Sequence, residues 1–122
     1  MNTDDWSVVF YREESGNSPV RELLNSLDET AQESLLVGIE LLRNRNVTAR
    51  EPLVRHLEGK LWELRRESRT NIFRVIYFFF TGRRIVLLHG FQKKSQKTPR
   101  QEIETALARY NRFIQREGGE DK

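Results

Sequence analysis

The segment Ile72–Phe80 constrains the fold of this chain more than any other part of it. Eight of its nine residues are apolar, many of them β-branched or aromatic, and Arg74 is the exception. That content is typical of a β-strand. An apolar strand at a sheet edge would offer its unpaired backbone to other chains and promote aggregation. We therefore expect this strand to lie at the centre of a sheet.

Segments on either side of this strand also have strand patterns. Leu61–Arg66 alternates apolar and charged residues, and Ile85–Leu88 is a short branched apolar run. Short polar connections at Glu67–Asn71 and Thr81-Gly82 predict tight turns, so the three strands form an antiparallel meander. Trp6–Arg12 is a further strand candidate, because aromatic and β-branched residues crowd it.

Three helices are predicted from start signals and apolar stripes. Ser18-Pro19 begins the first helix, and a second start at Ser26 or Asp28 gives a helical hairpin with a short connection. The third helix begins at Thr98-Pro99, where a T-x-x-Q sequence has capping-box spacing. Val47–Gly59 is expected to be a loop. The order β-α-α-β-β-β-α predicts an α+β domain: an antiparallel sheet with the helical hairpin on one face, and a C-terminal helix.

Composition indicates a soluble, ordered, single-domain protein. The chain has 122 residues, of which 37% are hydrophobic and 32% charged, so we expect one domain over residues 1–122 with a disordered tail at 117–122. The absence of cysteine excludes a disulfide scaffold and agrees with a reducing compartment. Neither a signal-peptide pattern nor a bilayer-length apolar run is present. We expect a cytoplasmic protein with no membrane partner.

Charge is strongly segregated along the chain. Residues 55–100 contain twelve lysines and arginines and three acids, whereas residues 1–54 contain five basic and ten acidic residues. A basic central segment favours a polyanion as partner, and nucleic acid is the obvious one. The alternative is an ordinary solvated sheet whose charges pair with the acidic helices.

Strand register places two arginines opposite each other. If the apolar residues of Leu61–Arg66 face those of the central strand, Arg65 lies directly opposite Arg74 on the other face. Like charges so placed are destabilising, which suggests that an anion binds between them. The alternative gives the arginines separate carboxylate partners, Glu63 or Glu67, on a solvated face.

A basic segment follows the last predicted strand. Lys93, Lys94 and Lys97 alternate with Gln92 and Gln96 over six positions that hold no acidic residue. A basic loop that leaves a core strand at a glycine forms a rigidly mounted cationic tip, which suits phosphate binding.

His89 and Phe91 are ambiguous site candidates in the same region. His89 is a conventional general base, but alternation places it on the face of Ile85 and Leu87, and a half-buried histidine bonded to the backbone is the alternative. Phe91 could stack on an RNA base or anchor the loop. No acidic or histidine cluster has metal-ligand spacing, so we expect neither metal nor cofactor.

Four segments carry a family resemblance: LWELR at 61–65, FRVIYFF at 73–79, IVLLHGFQKKSQKTP at 85–99 and QEIETALARY at 101–110. Together they resemble the HigB-like (phage Gp49-like) toxins of the RelE/ParE superfamily, and the similarity covers about residues 6–116. The resemblance implies a RelE-like fold, ribosome-dependent cleavage of messenger RNA, and silencing by a helix-turn-helix antitoxin. A gyrase-binding ParE-like toxin and a non-catalytic nucleic-acid-binding module are the alternatives.

The same resemblance implies roles for individual residues. Catalysis would fall to four cations: Arg65, Arg74, Lys93 and Lys94. The arginines would stabilise the phosphate oxygens during attack by the RNA 2′-hydroxyl, and a lysine with a lowered pKa would move a proton. On their own chemistry, and apart from the resemblance, further residues are candidates for RNA contacts: Arg66, Arg69, His89, Phe91, Gln92, Gln96 and Lys97. Gln92 and Gln96 could instead only solvate the loop.

Overall fold

The computed structural model describes residues 5–93 and 97–118. This part of the chain contains five strands and three α-helices: β1 (Ser7–Phe10), α1 (Pro19–Ser26), α2 (Glu29–Arg45), β2 (Val54–Glu58), β3 (Leu61–Ser68), β4 (Asn71–Phe80), β5 (Arg84–Lys93) and α3 (Arg100–Arg116). None of the helices in these ranges has the length and apolar content needed to cross a membrane. The α+β class and the RelE-like arrangement predicted from sequence are confirmed.

The five strands form one sheet in the order β1-β5-β4-β3-β2. The apolar strand β4 lies at its centre, as predicted. Strands β2 to β5 pair in antiparallel fashion, but β1 runs parallel to β5, so the prediction of a wholly antiparallel sheet is wrong at this edge. The helical hairpin and three strands separate β1 from β5 in sequence, so no tight turn dictates their relative direction.

The segment 47–59, predicted to be a loop, contains a strand. A short 3-10 turn at Asn46–Thr48 precedes it, and β2 then pairs with the first half of β3, with Val54 opposite Leu64 and Arg55 opposite Glu63. Five residues with mixed polarity give too few alternations for a strand to stand out from sequence. Pairing with β3 nevertheless brings Arg55 onto the sheet.

Each face of the sheet is covered by helices. The helical hairpin α1–α2 covers one face, as predicted, and packs on a core that includes Leu35, Leu42, Leu64, Val75, Tyr77 and Leu87. Helix α3 packs against the other face on a core that includes Leu61, Ile76, Phe78, Val86, Leu88 and Phe113. We call these the hairpin face and the α3 face. Arg74, between Phe73 and Val75 on β4, belongs to the α3 face.

A bulge in β5 changes the face on which the residues after it lie. Tyr77 pairs with Leu87 whereas Ile76 pairs with His89, so Leu88 is an extra residue in β5. A bulge of this kind reverses the inward and outward alternation beyond it. His89 therefore lies on the α3 face, and the alternation that placed it with Leu87 is wrong.

Strand β5 continues past its predicted end at Leu88. It passes through Gly90, which lies opposite Val75, and ends at Lys93. A Cβ atom at Gly90 would come within 2.6 Å of the Leu23 side chain of α1. Glycine thus lets the helical hairpin approach the strand closely. Lys93 consequently stands on the sheet and not at the tip of a loop.

Candidate active site

The register between β3 and β4 places two arginines face to face. Leu64 pairs with Val75, which makes Arg65 the direct partner of Arg74, as the sequence predicted. Phe91 of β5 pairs with Arg74 from the opposite side. Side chains directly opposite in antiparallel strands are neighbours, so the two guanidinium groups share one region of the α3 face.

A fully buried carboxylate lies next to this pair. Glu63 is 0% exposed, and its Oε1 atom is 3.4 Å from Nε of Arg74. Its other oxygen accepts a 2.6 Å hydrogen bond from the hydroxyl of Thr98. Thr98 therefore does not cap α3, whose N-cap is Pro99 with no side-chain hydrogen bond, and the predicted capping box is wrong. Glu63 instead holds both Arg74 and the segment that leads into α3.

Four cations surround this one buried carboxylate. Arg55 pairs with Glu63 across β2 and β3. Lys93 is close enough to Arg55, Arg65 and Arg74 for their positive charges to lower its pKa. We call Arg55, Arg65, Arg74 and Lys93 the cation cluster. Among the described residues, Glu63 is the one buried acid, so the cluster has an excess of positive charge. An excess of this kind favours binding of an anion.

Burial alters the acidity of two members of the cluster. Arg74 and Lys93 are each 5% exposed. Burial lowers the pKa of Lys93, and the neighbouring Arg74 lowers it further, with Glu63 opposing. Burial also lowers the pKa of Arg74, which Glu63 partly offsets. A lysine with a lowered pKa gives up its proton more readily, as proton transfer at a reacting group requires.

Two interpretations of the arginine pair were open from the sequence: an anion binds between the arginines, or each arginine has its own carboxylate partner. The second describes Arg74, and the first remains open for Arg65. Arg74 has a carboxylate partner in Glu63, but Nε of Arg74 and Oε1 of Glu63 make no hydrogen bond to any described residue. Arg74 donates one hydrogen bond, from Nη1 to the Phe73 carbonyl oxygen at 3.2 Å. Within residues 5–93 and 97–118, no acidic side chain forms an ion pair with Arg65. Guanidinium N–H groups therefore remain for an external anion.

An open cleft of about 470 Å³ gives access to the two arginines. It lies where β3 continues past Val54, the first residue of β2. Seven residues line it: Arg45, Pro52, Leu53, Arg65, Arg66, Glu67 and Arg74. Four of the seven are arginines. Planar guanidinium groups form paired hydrogen bonds with phosphate oxygens, so the cleft suits a phosphodiester.

Three of the other predicted RNA contacts lie away from the cluster. Arg66 donates from Nε to the Ser34 carbonyl oxygen of α2 and borders the cleft from that side. Arg69 is exposed at the tip of the β3–β4 hairpin. Gln92 lies on the hairpin face and donates to Asn71. Lys94 and Gln96 lie outside the described residues, and Lys97 is exposed just before Thr98.

His89 is bonded to α3 and not to its own strand. Its Nε2 forms a hydrogen bond with a carboxylate oxygen of Glu102, and Arg109 donates to its Nδ1 at 2.8 Å. The ring also stacks on Phe91, which is buried, with ring centroids 5.6 Å apart. The expected backbone bond is thus replaced by bonds to side chains of α3. Acceptance of a hydrogen bond at Nδ1 requires the neutral imidazole.

We expect protonation of His89 to destabilise the protein. Burial lowers the pKa of His89 below its ordinary value, although the hydrogen bond to Glu102 opposes the shift. The unfolded chain therefore binds this proton at a higher pH than the folded chain. The free energy of unfolding should fall as pH drops below about 6.5, the ordinary histidine pKa, and level off above it.

Urea unfolding between pH 5 and pH 8 measures this dependence. His89→Gln should flatten the slope between the pKa of folded His89 and about 6.5. His56→Gln, which removes the other histidine from an exposed position on β2, is the matched control for the substitution itself. An equal slope in the wild type and His89→Gln would contradict the assignment.

Three members of the site do not stand out from the sequence pattern. Arg55 lies in the segment predicted to be a loop, and Thr98 has the spacing of a helix cap. Glu63 is predicted only as a surface partner, although it is fully buried. One feature of the sequence does indicate that Glu63 belongs to the site. It lies two residues before Arg65, and this spacing places both side chains on one face of a strand.

Comparison with known proteins adds independent information. Residues 22–111 match the family described as phage-derived protein Gp49-like (DUF891), and this range includes the whole cation cluster. The probable endoribonuclease HigB1 of Mycobacterium tuberculosis strain CDC 1551 / Oshkosh is 33% identical over 101 residues, which covers 82% of this chain and 78% of the relative. HigB1 of strain ATCC 25618 / H37Rv gives the same identity and coverage.

Proposed function

Because this chain belongs to the phage-derived Gp49-like family of HigB-like toxins, we propose that it is the toxin of a type II toxin–antitoxin system and cleaves RNA. The observation that carries the proposal is the cation cluster. Four cations surround one buried carboxylate and two of them, Arg65 and Arg74, line an open cleft. The name of the relatives, probable endoribonuclease, supports the same activity.

The proposed reaction needs no group beyond the RNA and the protein. The RNA 2′-hydroxyl attacks the adjacent phosphorus, the bond from phosphorus to the 5′-oxygen breaks, and the products carry a 2′,3′-cyclic phosphate and a 5′-hydroxyl. Arg65 and Arg74 stabilise the charge that builds on the non-bridging oxygens. Lys93 or Lys94 moves a proton, and burial and neighbouring cations suit Lys93 to this role.

We propose no metal ion in this reaction, because the arginines fill the charge-stabilising role that a metal would otherwise have. Among the described residues, no three His, Cys, Asp or Glu side chains are grouped as metal ligands. The proposed roles belong to side chains of the protein, so substitution of single residues can test them.

The proposed substrate is messenger RNA on the ribosome, and the proposed effect is a block of translation in the cytoplasm. The basic segment 55–100 favours a polyanion partner. A helix-turn-helix antitoxin is the proposed silencing partner, as the family resemblance implies.

A translation extract programmed with one defined messenger RNA tests the activity. The purified protein should produce new 5′ ends, mapped by primer extension, and these should carry a 5′-hydroxyl. Removal of ribosomes should abolish the cuts. If RNA stays intact while gyrase supercoiling is inhibited, the ParE-like alternative replaces this proposal; if neither changes, the protein is a non-catalytic binding module.

A further inference from the structure

A groove, separate from the cleft described above, borders the cation cluster on the side of Arg55. It has a volume of about 490 Å³ and lies between β2 and the start of α3, where six residues line it: Arg55, His56, Leu57, Lys97, Thr98 and Ile103. Arg55 belongs both to this groove and to the cation cluster. Thr98 connects the groove to the cluster through its hydrogen bond to Glu63. The groove is therefore continuous with the cation cluster through Arg55 and Thr98, although it shares no lining residue with the first cleft.

The walls of the groove differ in chemistry. Arg55 and Lys97 are exposed and positively charged, whereas Leu57 and Ile103 are half-buried and pack against the α3-face core. None of the six lining residues is acidic. A cationic rim over an apolar wall matches a nucleotide, whose phosphate needs cations and whose base and ribose offer flat, partly apolar surface.

The groove lies a short distance along β3 from Arg65 and Arg74. Arg55 lies opposite Glu63, two residues before Arg65 along β3, which corresponds to about 7 Å along the strand. The first cleft, which Arg65 and Arg74 themselves line, extends from Arg65 in the other direction, beside Arg66 and Glu67. A single strand of RNA with one phosphodiester at Arg65 and Arg74 would thus reach the cleft on one side and the groove on the other.

We propose that this groove binds the nucleotide adjacent to the cleaved bond in single-stranded RNA. Arg55 and Lys97 would contact its phosphate, and Leu57 and Ile103 would contact its ribose or base. The inference rests on the proposed RNA-cleaving function and adds a substrate subsite to it. It assigns Arg55 a role in binding, separate from the charge stabilisation assigned to Arg65 and Arg74.

Binding of a short single-stranded RNA, 2′-O-methylated throughout so that it has no attacking hydroxyl, tests the subsite. Fluorescence anisotropy at several salt concentrations gives the affinity and its salt dependence. Arg55→Gln should weaken binding about tenfold and reduce the slope of log K against log salt by about 0.7, the value for one lost contact to a single strand. Lys97→Gln should reduce the slope by a similar amount.

Arg21→Gln is the matched control, since it removes the same charge from an exposed position on α1, which follows β1 at the opposite edge of the sheet. It should bind the RNA as the wild type does. The inference is overturned if Arg55→Gln and Lys97→Gln both behave like Arg21→Gln, or if the wild type does not bind this RNA.

This binding experiment and the cleavage assay in the translation extract together distinguish failure of this inference from failure of the proposed function. If the wild type cuts no RNA in the translation extract but Arg55→Gln still lowers the salt slope, the cleavage proposal fails and the groove stands as a nucleic-acid site. If Arg55→Gln weakens binding of the antitoxin protein and leaves RNA binding unchanged, the groove belongs to a protein partner and the inference is wrong.

Discussion

Replacement of Glu63 by alanine is expected to lower the free energy of unfolding by about 3 kcal/mol, because it leaves a buried charge without its partner. Glu63 is 0% exposed and is the buried acid beside Arg74, which is itself 5% exposed. Its loss would leave Arg55, Arg65, Arg74 and Lys93 with no buried acid among the residues that the structure describes. Thr98 would also lose the acceptor of its hydrogen bond.

Urea unfolding of matched variants measures this effect. Glu33→Ala removes an exposed acid from α2, away from the cation cluster, and should change the free energy of unfolding by less than about 0.5 kcal/mol. Glu63→Gln keeps an acceptor for Thr98, so destabilisation that persists in this variant measures the charge alone. A loss below about 1 kcal/mol in Glu63→Ala would show that Glu63 does not hold the cluster together.

The sequence predicts those parts of the fold that depend on strong alternation. Strand β4 has the longest apolar run, and its pairing with β3 is predicted correctly because a slip of one residue would expose the apolar side chains of β3. The opposition of Arg65 and Arg74 follows directly from that register. Alternation along two strands is therefore enough to predict the arginine pair at the centre of the candidate site.

The parts that could not be predicted depend on tertiary context. Strand β2 is short and gains its identity from pairing with β3, so the place of Arg55 on the sheet is not evident from its own segment. The bulge at Leu88 has no local sequence signal, yet it decides the face of His89. Thr98 has the sequence of a helix cap but bonds instead to the buried Glu63, 35 residues earlier in the chain.

Replacement of Arg65 by alanine is expected to lower the rate of RNA cleavage about 10²–10³-fold, the range for loss of one preorganised donor to a developing charge. The fold should persist, because Arg65 is half-buried and forms no ion pair with an acidic side chain in the described residues. Arg74 is a poorer choice for this experiment, since its removal would leave Glu63 buried and unpaired. Arg65→Ala should therefore change the cleavage rate without changing the free energy of unfolding much.

Single-turnover cleavage of one defined messenger RNA, measured for the wild type, Arg65→Ala and the charge-matched control Arg21→Ala, tests the central claim most directly. We predict that Arg65→Ala loses at least about a hundredfold in rate while unfolding at nearly the same urea concentration as the wild type, and that Arg21→Ala keeps the wild-type rate. Equal rates for the two variants would contradict the claim that these opposed arginines act on one phosphodiester.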